Sequence, residues 1–264
     1  MKVTLGNDEK DIIESLIVNF DNNLRDSNVR TDGFDFDWPV YRNSLIKDFC
    51  YFGNHLKSDR ETKILDIGVG IGLTSFILSN LGFNVSSCDI PGEKRNMDIM
   101  FDQSAIFNLK FMYDIEFKYS RVDRLPFGDL SFDVIFLYAV IEHIEVEYLN
   151  FIMSEIKRVL KKSGKVFIFK CPQKYSYCEF LTRKLLGVGH KYLWTPSTLK
   201  NKFSEFGFSL KDIEIYDLFP MTLIHKKLPY CKGVTKTMLL IENIIACTPL
   251  TIFYHNLRSV FVKN

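Results

Sequence analysis

Residues 64–72 read Ile-Leu-Asp-Ile-Gly-Val-Gly-Ile-Gly: an apolar run that carries one acid, Asp66, and then breaks into glycines at Gly68, Gly70 and Gly72. A buried strand running into a glycine turn and then a helix makes a seat for a nucleotide-like ligand. Glycine lets backbone approach the ligand closely, and the first helical turn presents N–H groups that need a partner. Leu73, Phe76, Ile77 and Leu81 supply the apolar face of that helix. Further on, Asp89 closes a second apolar run, where a carboxylate can accept both hydroxyls of a ribose. The spacing is G-x-G-x-G. The dinucleotide fingerprint G-x-G-x-x-G asks for a small residue at 73, and Leu73 stands there, which argues against NAD.

Holding these residues in place requires alternating strands and helices. Strand-like runs fall at Lys63–Ile67, Asn84–Asp89, Ile115–Tyr119, Phe132–Tyr138 and Lys165–Cys171. Helical runs lie at about 72–81, 94–110, 145–160, 174–186 and 196–206. Such alternation predicts a parallel sheet covered on both faces. Two amphipathic helices precede it, over 8–24 (Ile12, Ile13, Leu16, Ile17, Phe20, Leu24) and 40–57 (Leu45, Ile46, Phe49, Phe52, Leu56). A polar turn bearing Phe34, Phe36 and Trp38 joins them, and the pair is placed to lid the ligand. After the Gly207 stop come a sixth strand, Ser209–Leu218, a helical run, Thr235–Cys247, and a β-rich run, Ile252–Val262.

Two further blocks join the glycine turn. Leu125-Pro126-Phe127-Gly128-Asp129 leads into Ser131-Phe132-Asp133-Val134-Ile135-Phe136, and the strand runs on to Ile141-Glu142-His143-Ile144. Arg158-Val159-Leu160-Lys161-Lys162-Ser163-Gly164-Lys165-Val166 follows. In this order and spacing the set resembles the class I S-adenosylmethionine-dependent methyltransferases, in particular the small-molecule (type 11-like) group with L-P-F, S-F-D-V, E-H-I and R-V-L-K-P-G-G blocks. The resemblance covers roughly residues 60–172 and runs more loosely to 218.

The resemblance implies an α/β fold: a Rossmann-like doubly wound sheet, mostly parallel with an antiparallel last strand, plus an N-terminal helical lid and a cap insertion before the last strand. The implied boundaries are 1–60 for the lid, 61–219 for the cofactor-binding core, 220–250 for the cap and 251–264 for the last strand. It implies S-adenosylmethionine as cofactor. Gly68, Gly70 and Gly72 would pack against its methionine and ribose portions, and Asp66 would help orient its amino group. Asp89 would hold the ribose hydroxyls, Ile90 would cover one adenine face, and Leu137 and Tyr138 would floor the sulfonium. The family's usual adenine-binding acid is replaced by Arg121, and Asp123 is the substitute. Ser163 stands where the group has proline.

Methyl transfer is an in-line displacement at a carbon already activated by a sulfonium and relies largely on alignment, but a hydroxyl or carbon acceptor also needs a base. His143 is the best-placed base, with Glu142 as its neighbour; a helix-packing histidine is the plainer reading. His190, Tyr175 and Tyr177 lie in the insertion after the fifth strand, where an acceptor would enter. Tyr138-Ala139-Val140 is not the Asn/Asp-Pro-Pro-aromatic block of amino-methylating DNA enzymes, and Cys171-Pro172 reverses the Pro-Cys of cytosine-5 enzymes. Nucleic acid is therefore not expected. The expected acceptor is a small molecule, glycan or lipid-linked compound, methylated at O, N or C. The competing readings are a non-catalytic cofactor-binding module and an NAD-dependent oxidoreductase.

Composition fits this reading. The 264 residues, 47% apolar and 25% charged, can bury one sizeable core. The six cysteines lack C-x-x-C pairs or histidine partners at ligand spacing, so neither a metal site nor disulfides are expected, and a cytoplasmic location is. Residues 1–156 hold 15 Lys/Arg against 26 Asp/Glu, and residues 157–264 hold 19 against 6. The basic second half suits an anionic or amphiphilic acceptor, or peripheral contact of the 220–250 cap with a membrane; the plain reading is a dipolar, solvated surface.

Overall fold

The computed structural model describes residues 7–26, 39–56, 61–90, 115–121, 123–187, 189–218, 237–238, 240–242, 244–245 and 248–264. Seven strands form: β1 (Lys63–Ile67), β2 (Asn84–Asp89), β3 (Glu116–Tyr119), β4 (Phe132–Tyr138), β5 (Leu160–Pro172), β6 (Phe208–Tyr216) and β7 (Asn256–Lys263). The described helices are α1 (Asn7–Asp26), α2 (Pro39–His55), α3 (Leu73–Asn80), α4 (Val146–Val159), α5 (Tyr177–Leu186) and α6 (Pro196–Glu205). Short 3-10 turns occupy Ile141–His143 and Pro249–Phe253. The expected helix at 94–110 and most of the 220–250 cap lie outside the described residues, as does the turn with Phe34, Phe36 and Trp38.

The strands make one sheet in the order β3-β2-β1-β4-β5-β7-β6. Strands β1 to β5 pair in parallel, and β7 lies antiparallel between β5 and β6. The expected mostly parallel sheet with an antiparallel last strand is thus the observed one, with corrected ends. Strand β5 starts at Leu160, not at 165, because Leu160 already pairs with Phe132. Within it Ser163 turns through φ 59°, and a Cβ at Gly164 would lie 2.7 Å from the Leu160 side chain, so glycine is required there. Strand β7 starts at Asn256, not at 252, because residues 249–253 wind into the 3-10 turn capped by Thr248. Helix α5 starts only at Tyr177, where Ser176 accepts the Glu179 N–H at 3.3 Å.

Period-2 alternation along the strands divides the core in two. Ile64, Phe136, Phe167 and Phe169 face α1 and α2, while Leu65, Ile135, Leu137, Val166 and Ile168 face α4 and α6. The buried stripe of α1 (Ile13, Ile17, Phe20, Leu24) recurs at helical spacing, and Phe20 meets Phe76 of α3 with ring centroids 5.3 Å apart. From α2, Phe52 meets Phe167 at 4.7 Å and Phe136 at 5.5 Å. The two N-terminal helices therefore cover a face of the sheet itself. Burying such a ring contributes roughly 1.5–3 kcal/mol, which fixes α2 against the strand ends near the site.

Arg158, at the end of α4, explains two of the motif blocks together. Its guanidinium donates to the carbonyls of Leu125 and Phe127 and to Asp129 and Glu155 at 2.6–3.1 Å. The L-P-F-G-D loop is held to α4 by that planar fork and by Glu155, which accepts the Leu125 N–H at 2.8 Å.

Candidate active site

The C-terminal ends of β1, β2 and β4 converge on the glycine turn. Gly68, Gly70 and Gly72 have φ of 75°, 54° and 93°, left-handed values at which a side chain is strained. The Gly68 N–H donates to the Cys88 carbonyl at 2.8 Å, which locks the turn onto the end of β2. A Cβ at Gly68 would stand 2.6 Å from Val140, whereas one at Gly70 would meet none of the described residues within 4 Å. Backbone thus packs tightly at 68, against the segment that follows β4, and faces open space at 70. Asp89 sits beside that space: its Oδ2 accepts from Gly70 N–H at 2.9 Å and its Oδ1 from Ile90 N–H at 2.7 Å. A curled loop with open room over Gly70 and a carboxylate at its rim fits the ribose-bearing portion of S-adenosylmethionine.

Asp66 is turned inward. Its Oδ2 accepts from Thr74 Oγ1 and Ser75 Oγ, both at 2.6 Å, and Ser75 bonds Ser87 at 2.7 Å. The carboxylate ties β1 to the first turn of α3, and burial raises its pKa to about 6. Leu137 is buried in the α4-side core, so its backbone is what it can offer a ligand. Tyr138 points to the other face and donates to Asp48 Oδ2 at 3.1 Å. Asp123 lies at the surface and accepts from Arg121 at 2.9 Å, the hydrogen bond and charge of Arg121 holding its carboxyl low. The structure thus brings together the glycines, Asp89 and Ile90, and leaves Asp123 in a surface ion pair.

Beyond β4, the 3-10 turn carries Glu142 and His143. Glu142 is 1% exposed, its Oε1 lies 3.8 Å from His143 Nε2, and its Oε2 has no hydrogen-bond partner among the described residues. Burial lifts its pKa to about 8. His190 meets His143 with ring centroids 5.8 Å apart and His255 at 6.2 Å. Its Nδ1 is held by Glu179 Oε1 at 2.6 Å, and its backbone N–H donates to Glu179 Oε2 at 3.1 Å. Burial works against protonation of His190, but the hydrogen bond and charge of Glu179 outweigh it and raise the pKa. His255 is deeper, and burial pushes it down to about 4. Three of the chain's five histidines therefore gather beside the turn that packs on Gly68. Glu179 and His255 carried no sequence signal, since neither stands in a motif.

A second cluster was also invisible in the sequence. Asp48 and Ser44 from α2, Lys170 from β5, Asp217 after β6, and Asn256 and Arg258 from β7 meet near Tyr138. Lys170 Nζ lies 2.5 Å from Asp217 and 3.6 Å from Asp48, and Arg258 lies 3.3 Å from Asp48. Ser44 and Asn256 both donate to Asp217, at 2.8 and 3.0 Å.

Known proteins resemble this chain in sequence and fold. The family described as "Methyltransferase domain" matches residues 65–168. The chain is 28% identical to the ubiquinone biosynthesis O-methyltransferase of Rickettsia bellii over 203 residues, 76% of this chain and 75% of that protein. It is 25% identical to the sterol 4-C-methyltransferase of Caenorhabditis elegans over 134 residues, 51% and 38% of the two chains. Among solved structures, a SAM-dependent methyltransferase from Archaeoglobus fulgidus aligns with a TM-score of 0.52 at 20% identity, covering 77% of this chain and 86% of that one. The fold and the matched segment define a class I S-adenosylmethionine-dependent methyltransferase. The chain is accordingly an S-adenosylmethionine-dependent methyltransferase, so the binding-module and oxidoreductase alternatives fall away.

Proposed function

We propose that this methyltransferase modifies a hydroxyl oxygen of a small, amphiphilic acceptor at the edge between β4 and β5. The observation that carries the reading is the packing of Glu142, His143, His190 and Glu179 beside the glycine turn. S-adenosylmethionine supplies an electrophilic methyl carbon when bound. Gly68, Gly70, Gly72, Asp89 and Ile90 hold its methionine and adenosine portions, with Asp66 bracing the turn from beneath and Leu137 and Tyr138 closing the strand end. Asp123 meets the adenine only if its pair with Arg121 opens. A hydroxyl, unlike an amine, must lose a proton that it holds tightly. His143, 45% exposed, is the reachable imidazole, backed by Glu142.

Apolar side chains around the entrance support an amphiphilic or lipid-linked acceptor over a glycan. Tyr175, Phe180, Leu250, Ile252 and Phe253 are all exposed, and Gln173 Nε2 joins the two segments by donating to the Ile252 carbonyl at 2.5 Å. The relative from Rickettsia, named for O-methylation in ubiquinone biosynthesis, points the same way. In the same reading residues 1–60 wall the acceptor side, 61–219 with the last strand in 251–264 hold the cofactor, and 220–250 cap the edge and touch the membrane surface. A cytoplasmic location belongs to this proposal; among the described residues no helix is long and apolar enough to cross a membrane.

The test is incubation with methyl-labelled S-adenosylmethionine and a matched set of acceptors: a prenylated phenol, its aniline counterpart and a sterol. Label should appear as an aryl methyl ether on the phenol. Transfer to the amine or to carbon, with the phenol untouched, would overturn the assignment.

A further inference from the structure

Glu142, His143 and His190 each offer one ligand atom, and these atoms lie within 4.8 Å of one another. Tetrahedral coordination by imidazole and carboxylate at about 2.0–2.2 Å brings ligand atoms to about 3.4 Å apart, so side-chain rotation of roughly an ångström closes the set. Two independent features favour a cation over an ordinary polar cluster. Among the described residues Glu142 Oε2 is buried without a hydrogen-bond partner, a costly arrangement for a carboxylate unless a positive charge meets it. His190 is already oriented, because Glu179 holds its Nδ1 at 2.6 Å and directs Nε2 away from that carboxylate. A carboxylate gripping the far nitrogen of an imidazole is how metal-binding histidines are fixed in tautomer and direction.

From these contacts we infer that Glu142, His143 and His190 form a binding site for a divalent first-row transition cation, with Glu179 orienting His190. The two-imidazole, one-carboxylate set suits zinc, cobalt, iron or manganese better than magnesium or calcium, which prefer all-oxygen cages. Three protein ligands leave coordination positions open. They open on the exposed side, since His143 and His190 are 45% and 33% exposed while Glu142 closes the back. Sequence spacing gave no hint of the set, because His190 lies in a different loop, past β5.

The inference rests on the proposed acceptor edge for its consequence and revises which group loosens the proton. An acceptor oxygen on the cation becomes more acidic; its O–H bond breaks, the proton leaves to solvent and the oxygen keeps the electron pair. His143 is then a ligand, and its imidazole is not the base.

The experiment is titration of the full chain with Co²⁺, followed by its visible ligand-field absorption, with Zn²⁺ as competitor and S-adenosylhomocysteine affinity as the check on folding. One Co²⁺ per chain is expected. Glu142→Gln and His190→Ala should each weaken it at least about tenfold, the double variant His143→Ala/His190→Ala should abolish it, and Glu179→Gln should weaken it about tenfold. His55→Gln, far from the site, should leave it unchanged. Absence of Co²⁺ binding by protein that still binds S-adenosylhomocysteine, or binding indifferent to these substitutions, overturns the site. Because the titration needs no acceptor, Co²⁺ binding together with failure on every hydroxyl acceptor would reject the acceptor assignment and leave the cation site standing.

Discussion

The ion network under α2 and the histidine cluster beyond β4 occupy the same edge of one sheet, yet they are built to opposite rules. Lys170, Asp217, Asp48 and Arg258 draw on α2, β5, β7 and the end of β6, and each charge meets an opposite one. Burial alone would raise Asp217, but Lys170 more than reverses this and holds its carboxyl low. Glu142, buried just as deeply, has a bare oxygen and two histidines that open to solvent. A saturated network spends its charges on holding elements together. An unsaturated one keeps coordination and proton capacity for something that arrives from outside.

The largest effect that separates the two should come from Lys170→Met. It leaves the buried Asp217 carboxylate without its cation while Asp48 keeps Arg258, and loss of one partner from a buried pair costs about 3–5 kcal/mol. Urea denaturation should show that loss, while His143→Gln, on the exposed side of the other cluster, should move stability by less than about 0.5 kcal/mol. Equal losses would erase the distinction. Next, Glu142→Gln should lower turnover by about a hundredfold or more and leave stability at neutral pH equal or higher.

The same residue gives a pH signature. Its folded pKa of about 8 stands above the ordinary value of 4.5, so the folded state holds the proton more tightly. That contribution to stability is complete below about pH 4.5 and is lost as pH rises toward 8. Glu142→Gln should flatten this part of the stability–pH curve; an unchanged slope would mean that another group carries it.

Asp89 lies between the two extremes, satisfied by backbone N–H groups yet facing the open space at Gly70. Asp89→Ala should weaken S-adenosylhomocysteine binding by about 1–3 kcal/mol, read by calorimetry, with unaltered affinity removing it from the site. The smallest contrast is within the turn. Gly68→Ala adds a clash with Val140 to a left-handed strain of about 1–2 kcal/mol, whereas Gly70→Ala bears the strain alone, so thermal unfolding should rank 68 as the costlier position.

What the sequence made legible follows from distance along the chain. The glycine turn, Asp89 and the strand alternation were readable because each is a local pattern, periodic or contiguous. The L-P-F and R-V-L blocks were readable as motifs, although their shared purpose, the grip of Arg158 on the loop carbonyls, needed the fold. Strand β5 hid its first residues behind Lys161-Lys162-Ser163, whose polarity resembles a loop, and residues 252–255 hid a 3-10 turn and its exit behind β-branched and aromatic types. The histidine cluster was legible at Glu142-His143 and, as a loop residue on the acceptor side, at His190, but not as one set. His190, Glu179 and His255 come from separate segments after β5 and at the start of β7, and only topology brings them to one place. The two α3 hydroxyls that bond Asp66 Oδ2 were not legible, because the spacing shows an acid before a glycine turn and not which groups reach it.

The position of β7 has a consequence for how the molecule is made. Strand β5 is hydrogen-bonded on one side by β7, and among the described residues β6 joins the sheet only through β7. On a ribosome, residues 160–172 emerge long before residues 256–263, so β5 must wait with a bare edge, and β6 has no neighbour to join. Loop closure over that span is slow, and unpaired strand edges recruit other chains. The nascent protein therefore passes through a stage in which its first five strands are assembled but unsealed, and conditions that stall synthesis before residue 256 should trap it there as aggregate.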